Sequence, residues 1–273
     1  MPRSNSGHGS PSDIARRDLV TPLGSRRWSY ARRSIGDPDM NSRAQLRTDR
    51  LLLRPWRKSD LEPLAEITTD PRVMQDLPAP LPRPQSDALV ERSRAHFRQH
   101  GFGLWAVEVP GVAPFIGLAG LWHVAAEVPV APCVELGWRL APAHWDRGYA
   151  TEASAALLTF AFAYARLDEV VGFTASDNQR SRRVMDKLGM QRDPTRDFDH
   201  PCLPADHRFR QQLLYRIDAR SWLRRRFPRS VVAHMRQAQI APDPAALLAV
   251  AHPDLDLRIV IGSPADGAVA NEG

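Results

Sequence analysis

The chain has 273 residues, 43% of them hydrophobic, which is enough for one large domain or one medium domain with appendages. Its formal net charge is +6, but the span from position 46 to position 218 contains 22 basic and 22 acidic residues. The excess therefore lies at the two ends, which argues against nucleic acid as a partner of the central part. No apolar run reaches the roughly 18 residues that a membrane helix needs, so we expect no membrane partner.

The two cysteines and the N-terminal residues indicate a cytoplasmic protein. Cys133 and Cys202 lie far apart and form no C-x-x-C pair, as is usual in a reducing compartment. Residues 1–45 lack the apolar segment of a secretory signal. They are rich in Ser, Arg, Gly and Pro, and we predict that they form a disordered, basic N-terminal extension.

Regular patterns begin near position 48 and predict the element order β-α-α-β-β-β-α-β-α-β-β. Ser59 and Glu62 form a capping-box pattern, which predicts a helix over residues 59–68 with Ser59 as its N-cap. A second helix is predicted over 86–100, with Gly101 after its end. The other predicted elements are strands at 50–56, 103–109, 115–122, 132–140, 169–175, 190–192 and 212–217, a long apolar helix that opens at 147–150, and a short helix at 178–188.

This element order predicts a mixed α/β fold, in which a central, mostly antiparallel, twisted sheet carries helices on both faces. We expect one domain over residues 46–218. Residues 219–273 have no apolar pattern large enough for a core of their own, so they are predicted to be a partly helical or disordered C-terminal extension.

The strand, turn and helix at residues 132–165 are the most informative stretch. Alternating apolar residues predict the strand, Pro142 closes it, and Gly148 precedes the long apolar helix. Such a turn aims unpaired backbone N–H groups at one point, and the positive end of the helix dipole lies behind them. The sequence therefore predicts an anion site suited to a phosphate or pyrophosphate.

Five motifs of the chain together resemble one family. They are T-D-R-L-L-L-R-P-W at 48–56, E-L-G-W at 135–138, W-D-R-G-Y-A-T-E-A at 145–153, N-Q-R-S-R-R-V-M-D-K-L-G-M at 178–190 and D-F-D-H-P at 197–201. With the element order, they resemble the GNAT acyltransferase superfamily, and within it the ribosomal-protein N-terminal (Ser/Ala) acetyltransferase-like branch. The resemblance covers residues 48–218. It implies a GNAT fold and the transfer of an acetyl group from acetyl-CoA to a primary amine.

The resemblance also implies how acetyl-CoA is bound. The N–H groups of the turn would hold the pyrophosphate, and the main chain of the preceding strand, with one Asn, would bind the pantetheine arm. The matching pyrophosphate residues are Arg147, Gly148, Tyr149, Ala150 and Thr151, and the matching pantetheine residues are Trp138, Arg139, Leu140 and Asn178. The turn departs from the family pattern at Trp145, where Arg or Gln is usual, and at Asp146, where the branch has Gly.

Glu135 is the candidate general base, because an amine must lose its ammonium proton before it attacks a thioester. The alternative is a solvent-facing strand position or an ion pair with Arg139, which lies on the same side of the strand. The resemblance makes Ser181 the candidate proton donor to the departing CoA thiolate, since this helix has no Tyr. Asn178 is also a candidate N-cap of that helix. The backbone N–H near Trp138 is the expected donor to the oxyanion.

No metal is predicted from the sequence. His200 lies near Asp197, Asp199 and His207, but their spacing matches no strong ligand template. His123 and His144 are expected to be structural or to face solvent. The only small-molecule partners expected are therefore acetyl-CoA and the acceptor amine.

The acceptor amine stays open at this point. A protein or peptide N-terminus follows from the branch resemblance, and a small molecule such as an antibiotic or an amino acid is the alternative. A third interpretation is a non-catalytic sensor that binds acyl-CoA with the same fold. A monomer and a homodimer are both compatible with the sequence.

Overall fold

The computed structural model of the protein describes residues 45–75 and 80–226. The strands in these ranges are β1 (Leu46–Arg47), β2 (Leu52–Arg54), β3 (Leu104–Val109), β4 (Ala113–His123), β5 (Val134–Leu140), β6 (Glu169–Ala175), β7 (Gln191–Arg192), β8 (Phe198–Asp199) and β9 (Gln211–Asp218). Within the described residues they form one nine-stranded sheet in the order β1-β2-β3-β4-β5-β6-β9-β7, with β8 paired to β9. Every pairing in it is antiparallel except that of β5 with β6.

Helices cover both faces of this sheet. They are α1 (Leu61–Thr69), α2 (Pro71–Met74), α3 (Arg83–His100), α4 (Tyr149–Ala163), α5 (Gln179–Leu188) and α6 (Ala219–Arg226). Trp105 of β3 packs in the main hydrophobic cluster with Leu157 of α4, whereas its neighbour Ala106 packs in a second cluster with Leu64 of α1 and Val90 of α3. Successive side chains of a strand point to opposite faces. The predicted mixed α/β fold is therefore confirmed.

Helix α1 begins later than the capping-box pattern predicted, and the assignment of Ser59 as its N-cap is wrong. A 3-10 turn over Lys58–Asp60 precedes the helix, and Asp60 takes the N-cap position. The Asp60 carboxylate accepts hydrogen bonds from the Arg57 N–H at 2.7 Å and from Arg54 Nη1 at 2.8 Å. The Arg54 side chain is only 1% exposed, and its buried charge is balanced by Asp60 and by Glu108. The Asp60 carboxylate is therefore held in this pair next to the first turn of the helix.

Helix α3 also differs from its predicted start, whereas its predicted end is confirmed. It begins at Arg83 rather than at residue 86, because Pro84 is well tolerated in the first turn of a helix. At the other end, Gly101 takes the left-handed conformation with φ of 78° and closes the helix.

Helix α6, which follows the predicted domain boundary at residue 218, packs on the main hydrophobic cluster. Trp222 of α6 is 2% exposed and lies in the main cluster, and its indole N–H donates to Thr159 Oγ1 at 3.3 Å. The predicted disordered N-terminal extension (1–45) lies outside the described residues apart from residue 45. The predicted C-terminal extension (219–273) lies outside them apart from helix α6. Among the described helices, none is both long and apolar enough to cross a membrane.

Strands β5 and β6 separate along their length. Strand β5 pairs with β4 over seven residue pairs, from Gly117 with Leu140 to His123 with Val134. By contrast, its parallel register with β6 consists of Glu135 opposite Val171 alone. The remainder of β5 therefore leaves β6, and a cleft opens in the middle of the sheet beyond Glu135.

Candidate active site

The main chain of β5 supplies one wall of the cleft. Beyond the end of β5, the Ala141 N–H donates to the Ile116 carbonyl at 2.8 Å. In an antiparallel pair, residues alternate between bonding to the partner strand and facing away from it. The backbone N–H and C=O groups of Arg139 therefore bond to β4. Those of Trp138 and Leu140 face the cleft.

This alternation corrects one expectation about the pantetheine arm. The main chain of Arg139 is used in the sheet, so it does not offer a carbonyl to a ligand in the cleft. Trp138 and Leu140 have the orientation that the prediction requires. The Leu140 carbonyl already accepts the indole N–H of Trp145 at 2.8 Å, so the side chain at the unusual first position of the turn motif ties the turn to the end of the strand.

The turn before α4 has the conformation of an anion site. Gly148 is the N-cap with φ of 79°, and a Cβ placed there would meet only Arg50 Nη2, at 3.4 Å. The first intrahelical bond runs from the Glu152 N–H to the Gly148 carbonyl, so the N–H groups of Tyr149, Ala150 and Thr151 have no acceptor within the helix. These donors and the helix dipole together favour a bound anion.

A polar network that the sequence analysis missed braces this turn. Arg50 donates from Nε to Glu152 Oε2 at 2.7 Å and from Nη1 to the Arg147 carbonyl at 3.0 Å. Thr48 Oγ1 donates to the other oxygen of Glu152 at 2.6 Å. All three side chains lie in motifs that carried the family resemblance, but nothing in their spacing indicated that two distant motifs meet.

Glu135 lies where β5 leaves β6. It is half-buried and stands opposite Trp122 of β4. Burial raises the pKa of its carboxyl group to about 8, and no described residue hydrogen-bonds to that group or forms an ion pair with it. A Cβ placed on Gly137, the next residue on the same side of the strand, would meet nothing within 4 Å, so space is open beside this carboxyl group.

The side chain of Arg139 lies on the far side of Gly137 from Glu135. Its Nη1 atom is buried and has no hydrogen-bond partner among the described residues. Burial lowers the pKa of this guanidinium to about 10. The ion pair between Glu135 and Arg139, which was the alternative to the general-base interpretation, does not occur. Among the described residues, neither the Glu135 carboxyl group nor Arg139 Nη1 has a hydrogen-bond partner, and the open position at Gly137 lies between them.

Helix α5 carries the remaining predicted residues, Asn178 and Ser181. Asn178 Oδ1 accepts the Ser181 N–H at 3.0 Å, which confirms Asn178 as the N-cap. Ser181 itself is half-buried. Between them, the guanidinium of Arg180 stacks on the ring of Trp145 at 4.2 Å. The first turn of α5 therefore lies against the turn that precedes α4.

The acidic loop residues near His200 have structural partners. Asp197 pairs with Arg192, and its other oxygen accepts the Leu214 N–H at 3.0 Å. Asp199 pairs with Arg210 at 3.0 Å. These contacts order the loop between β7 and β9.

Comparison with known proteins defines the class. The family described as acetyltransferase (GNAT) domain matches residues 50–191, just over half of the chain. The chain is 29% identical to the uncharacterized protein YkkB of Bacillus subtilis (strain 168) over 152 residues, which are 55% of this chain and 87% of YkkB. It is also 29% identical over 194 residues to the FsC-acetyl coenzyme A-N(2)-transacetylase of Aspergillus fumigatus, covering 67% of this chain and 80% of that protein.

A solved structure agrees with these sequence matches. The crystal structure of an acetyltransferase from Agrobacterium tumefaciens str. C58 is similar with a TM-score of 0.53 and 28% identity, and the match covers 63% of this chain and 93% of that one. The chain belongs to the GNAT acetyltransferase family. It is an acyltransferase that depends on acetyl-CoA.

Proposed function

We propose that the protein transfers the acetyl group of acetyl-CoA to a primary amine by direct attack, without an acyl-enzyme. The observation that carries this proposal is the position of Glu135, a half-buried and unpaired carboxyl group at the point where β5 leaves β6. A primary ammonium group must lose a proton before it can attack. A carboxylate whose pKa is raised to about 8 is a suitable acceptor for that proton near neutral pH.

The other residues have roles that follow from their positions. The N–H groups of Gly148, Tyr149 and the residues that follow would hold the CoA pyrophosphate at the N-terminus of α4. The Trp138 N–H, which faces the cleft, would stabilise the oxyanion. As the C–N bond forms and the C–S bond breaks, the thiolate would take a proton from the Ser181 hydroxyl, and Asn178 would contact the pantetheine arm.

Two classes of acceptor amine have support. The motifs shared with the ribosomal-protein N-terminal acetyltransferase-like branch favour a protein or peptide N-terminus. An amine on a small molecule is compatible with the name of the Aspergillus relative, FsC-acetyl coenzyme A-N(2)-transacetylase, which specifies an N(2) nitrogen. We place the peptide N-terminus first, because the branch motifs include the loop at 197–201 as well as the turn that binds CoA.

The test is an assay of the full chain with acetyl-CoA and a panel of peptides, amino acids and polyamines. Free CoA thiol and acetylated amine, measured by thiol titration and mass spectrometry, should appear in equal amounts. Glu135→Gln should abolish most of this activity, whereas Glu127→Gln, at an exposed position outside the cleft, should not. Full activity of Glu135→Gln would remove that residue from the mechanism. Release of no thiol with any amine would support the non-catalytic sensor.

A further inference from the structure

Three histidines that the acetyl-transfer site does not use meet at one end of the sheet. His96 and His100 lie one turn apart near the end of α3, and His123 is the last residue of β4. One ring nitrogen from each lies within 4.8 Å of the others. Within the described residues, this is the one group of three or more His, Cys, Asp and Glu side chains with such spacing.

The hydrogen bonds of His96 fix its tautomer. Its Nδ1 lies 2.6 Å from the Phe102 carbonyl, which can only accept, so Nδ1 carries the proton and Nε2 carries a lone pair. A backbone carbonyl bonded to the second ring nitrogen is the usual partner of a metal-binding histidine. The Nε2 atom faces His123: it accepts a hydrogen bond from the His123 backbone N–H at 3.2 Å and lies 3.2 Å from His123 Nδ1. A bound metal ion would take the lone pair that this N–H now uses.

We propose that His96, His100 and His123 form a site for a divalent transition metal ion, with Zn²⁺ as the best fit. Zinc binds histidine nitrogen at about 2.0–2.1 Å in tetrahedral geometry, so two of its ligand atoms lie roughly 3.3 Å apart. The observed 3.2 Å between His96 Nε2 and His123 Nδ1 matches that separation. His100 is partly exposed, and one of its ring nitrogens lies within 4.8 Å of the other two ligand atoms. Three histidines leave the fourth position to water, a known zinc arrangement.

The chemistry of the three ligands decides which ion fits. A donor set of imidazoles with no carboxylate favours zinc, copper and nickel over magnesium and calcium.

A metal ion bound at this site would stabilise the part of the sheet next to β5, the strand that carries Glu135. The ring of Trp122 stacks on His96, with 4.2 Å between ring centroids, and Trp122 stands opposite Glu135. A metal ion bound to α3 and β4 would hold these two elements together next to the proposed general base. The inference itself rests on the geometry of the three histidines, and it holds whichever amine is acetylated.

Metal binding can be measured directly on the full chain. After treatment with a chelator and dialysis, the protein should bind one equivalent of Zn²⁺ in equilibrium dialysis. Added Zn²⁺ should raise the melting temperature, because binding to the folded state alone stabilises it. Co²⁺ should give the intense visible absorption of a four-coordinate site.

Two matched variants separate this site from other histidines. His100→Gln removes one ligand from the exposed end of a helix and should leave the metal-free melting temperature close to that of the wild type. It should weaken Zn²⁺ binding at least about tenfold and remove the four-coordinate Co²⁺ spectrum. His207→Gln, in the loop before β9, should bind as the wild type does. Equal Zn²⁺ affinity of His100→Gln and the wild type would overturn the proposal, as would a wild type that binds no stoichiometric Zn²⁺.

Discussion

Arg50 and Glu152, which lie 102 positions apart in the chain, form a direct pair with 2.7 Å between Nε and Oε2. Arg50 also holds the Arg147 carbonyl at 3.0 Å, so this one side chain links the start of the sheet to both the turn and the first turn of α4. The Arg50 side chain is 49% exposed, and a pair this exposed adds little stability. Its importance lies in the shape and charge of the anion site.

We therefore expect Arg50→Gln to weaken CoA binding without unfolding the protein. The change removes a positive charge next to the turn at Gly148. It also removes the hydrogen bond from Arg50 Nη1 to the Arg147 carbonyl. Calorimetry should show an increase in the Kd for CoA of about tenfold, which corresponds to the loss of one charge-assisted hydrogen bond. The control is Arg57→Gln, another exposed Arg that pairs with an acid, Glu108. An equal effect of both substitutions would mean that only net charge matters.

The raised pKa of Glu135 predicts a specific pH dependence. If the carboxylate is the base, kcat/KM should rise with pH and level off above about 8. Glu135→Gln should lower kcat roughly 100-fold and remove this limb of the profile. The measurement is a pH–rate series with acetyl-CoA and the best amine of the panel. A limb that persists in the variant would belong to the amine or to another group.

The same group should affect stability with a known sign. Its folded pKa of about 8 exceeds the ordinary value of 4.5, so between these pH values the folded state keeps a proton that the unfolded state has released. Stability should therefore fall as the pH rises through this window. In urea unfolding, the free energy of unfolding of Glu135→Gln should change less with pH than that of the wild type. Identical slopes would show that the carboxyl group is solvated in the folded protein.

Asp146 stands at a position that strains its backbone. Its φ is 57°, a left-handed value that glycine adopts freely, and its side chain is exposed beside the turn. No described residue forms an ion pair with its carboxylate, so the charge stays uncompensated near the helix N-terminus. We expect Asp146→Gly and Asp146→Asn to tighten CoA binding roughly threefold, as removal of one like charge near a bound anion should do. If only the Gly variant binds tighter, backbone strain is the cause. If neither does, the carboxylate points away from the ligand.

The parts of the site that the sequence predicted are local ones. The strand, the turn with Gly148 and the N-cap Asn178 each follow from residues within a few positions of one another. Periodicity and capping rules act over that distance. The family motifs added which ligand the turn would take.

The features that the sequence missed depend on register and on distant contacts. Whether the main chain of Arg139 faces β4 or the cleft depends on the pairing of two strands, which no local pattern specifies. Helix α1 starts after Asp60, whose carboxylate Arg54 binds in a buried pair that the capping-box pattern did not indicate. The histidine cluster joins α3 to β4, so the spacing of His96 and His123 in the chain gave no sign of it.

Arg139 provides a test in which stability and binding should change in opposite directions. Its Nη1 atom is buried without a partner among the described residues, and burial lowers its pKa to about 10, so the folded protein bears the cost of an unpaired charge. Arg139→Met should remove that cost and stabilise the protein by about 1–2 kcal/mol in urea unfolding. It should also raise the KM of acetyl-CoA or of the acceptor about tenfold, because the unpaired donor is then absent when a ligand enters the cleft. Arg183→Met on the exposed side of α5 is the control and should change neither quantity. A destabilised Arg139→Met with an unchanged KM would show that the guanidinium supports the fold rather than a ligand.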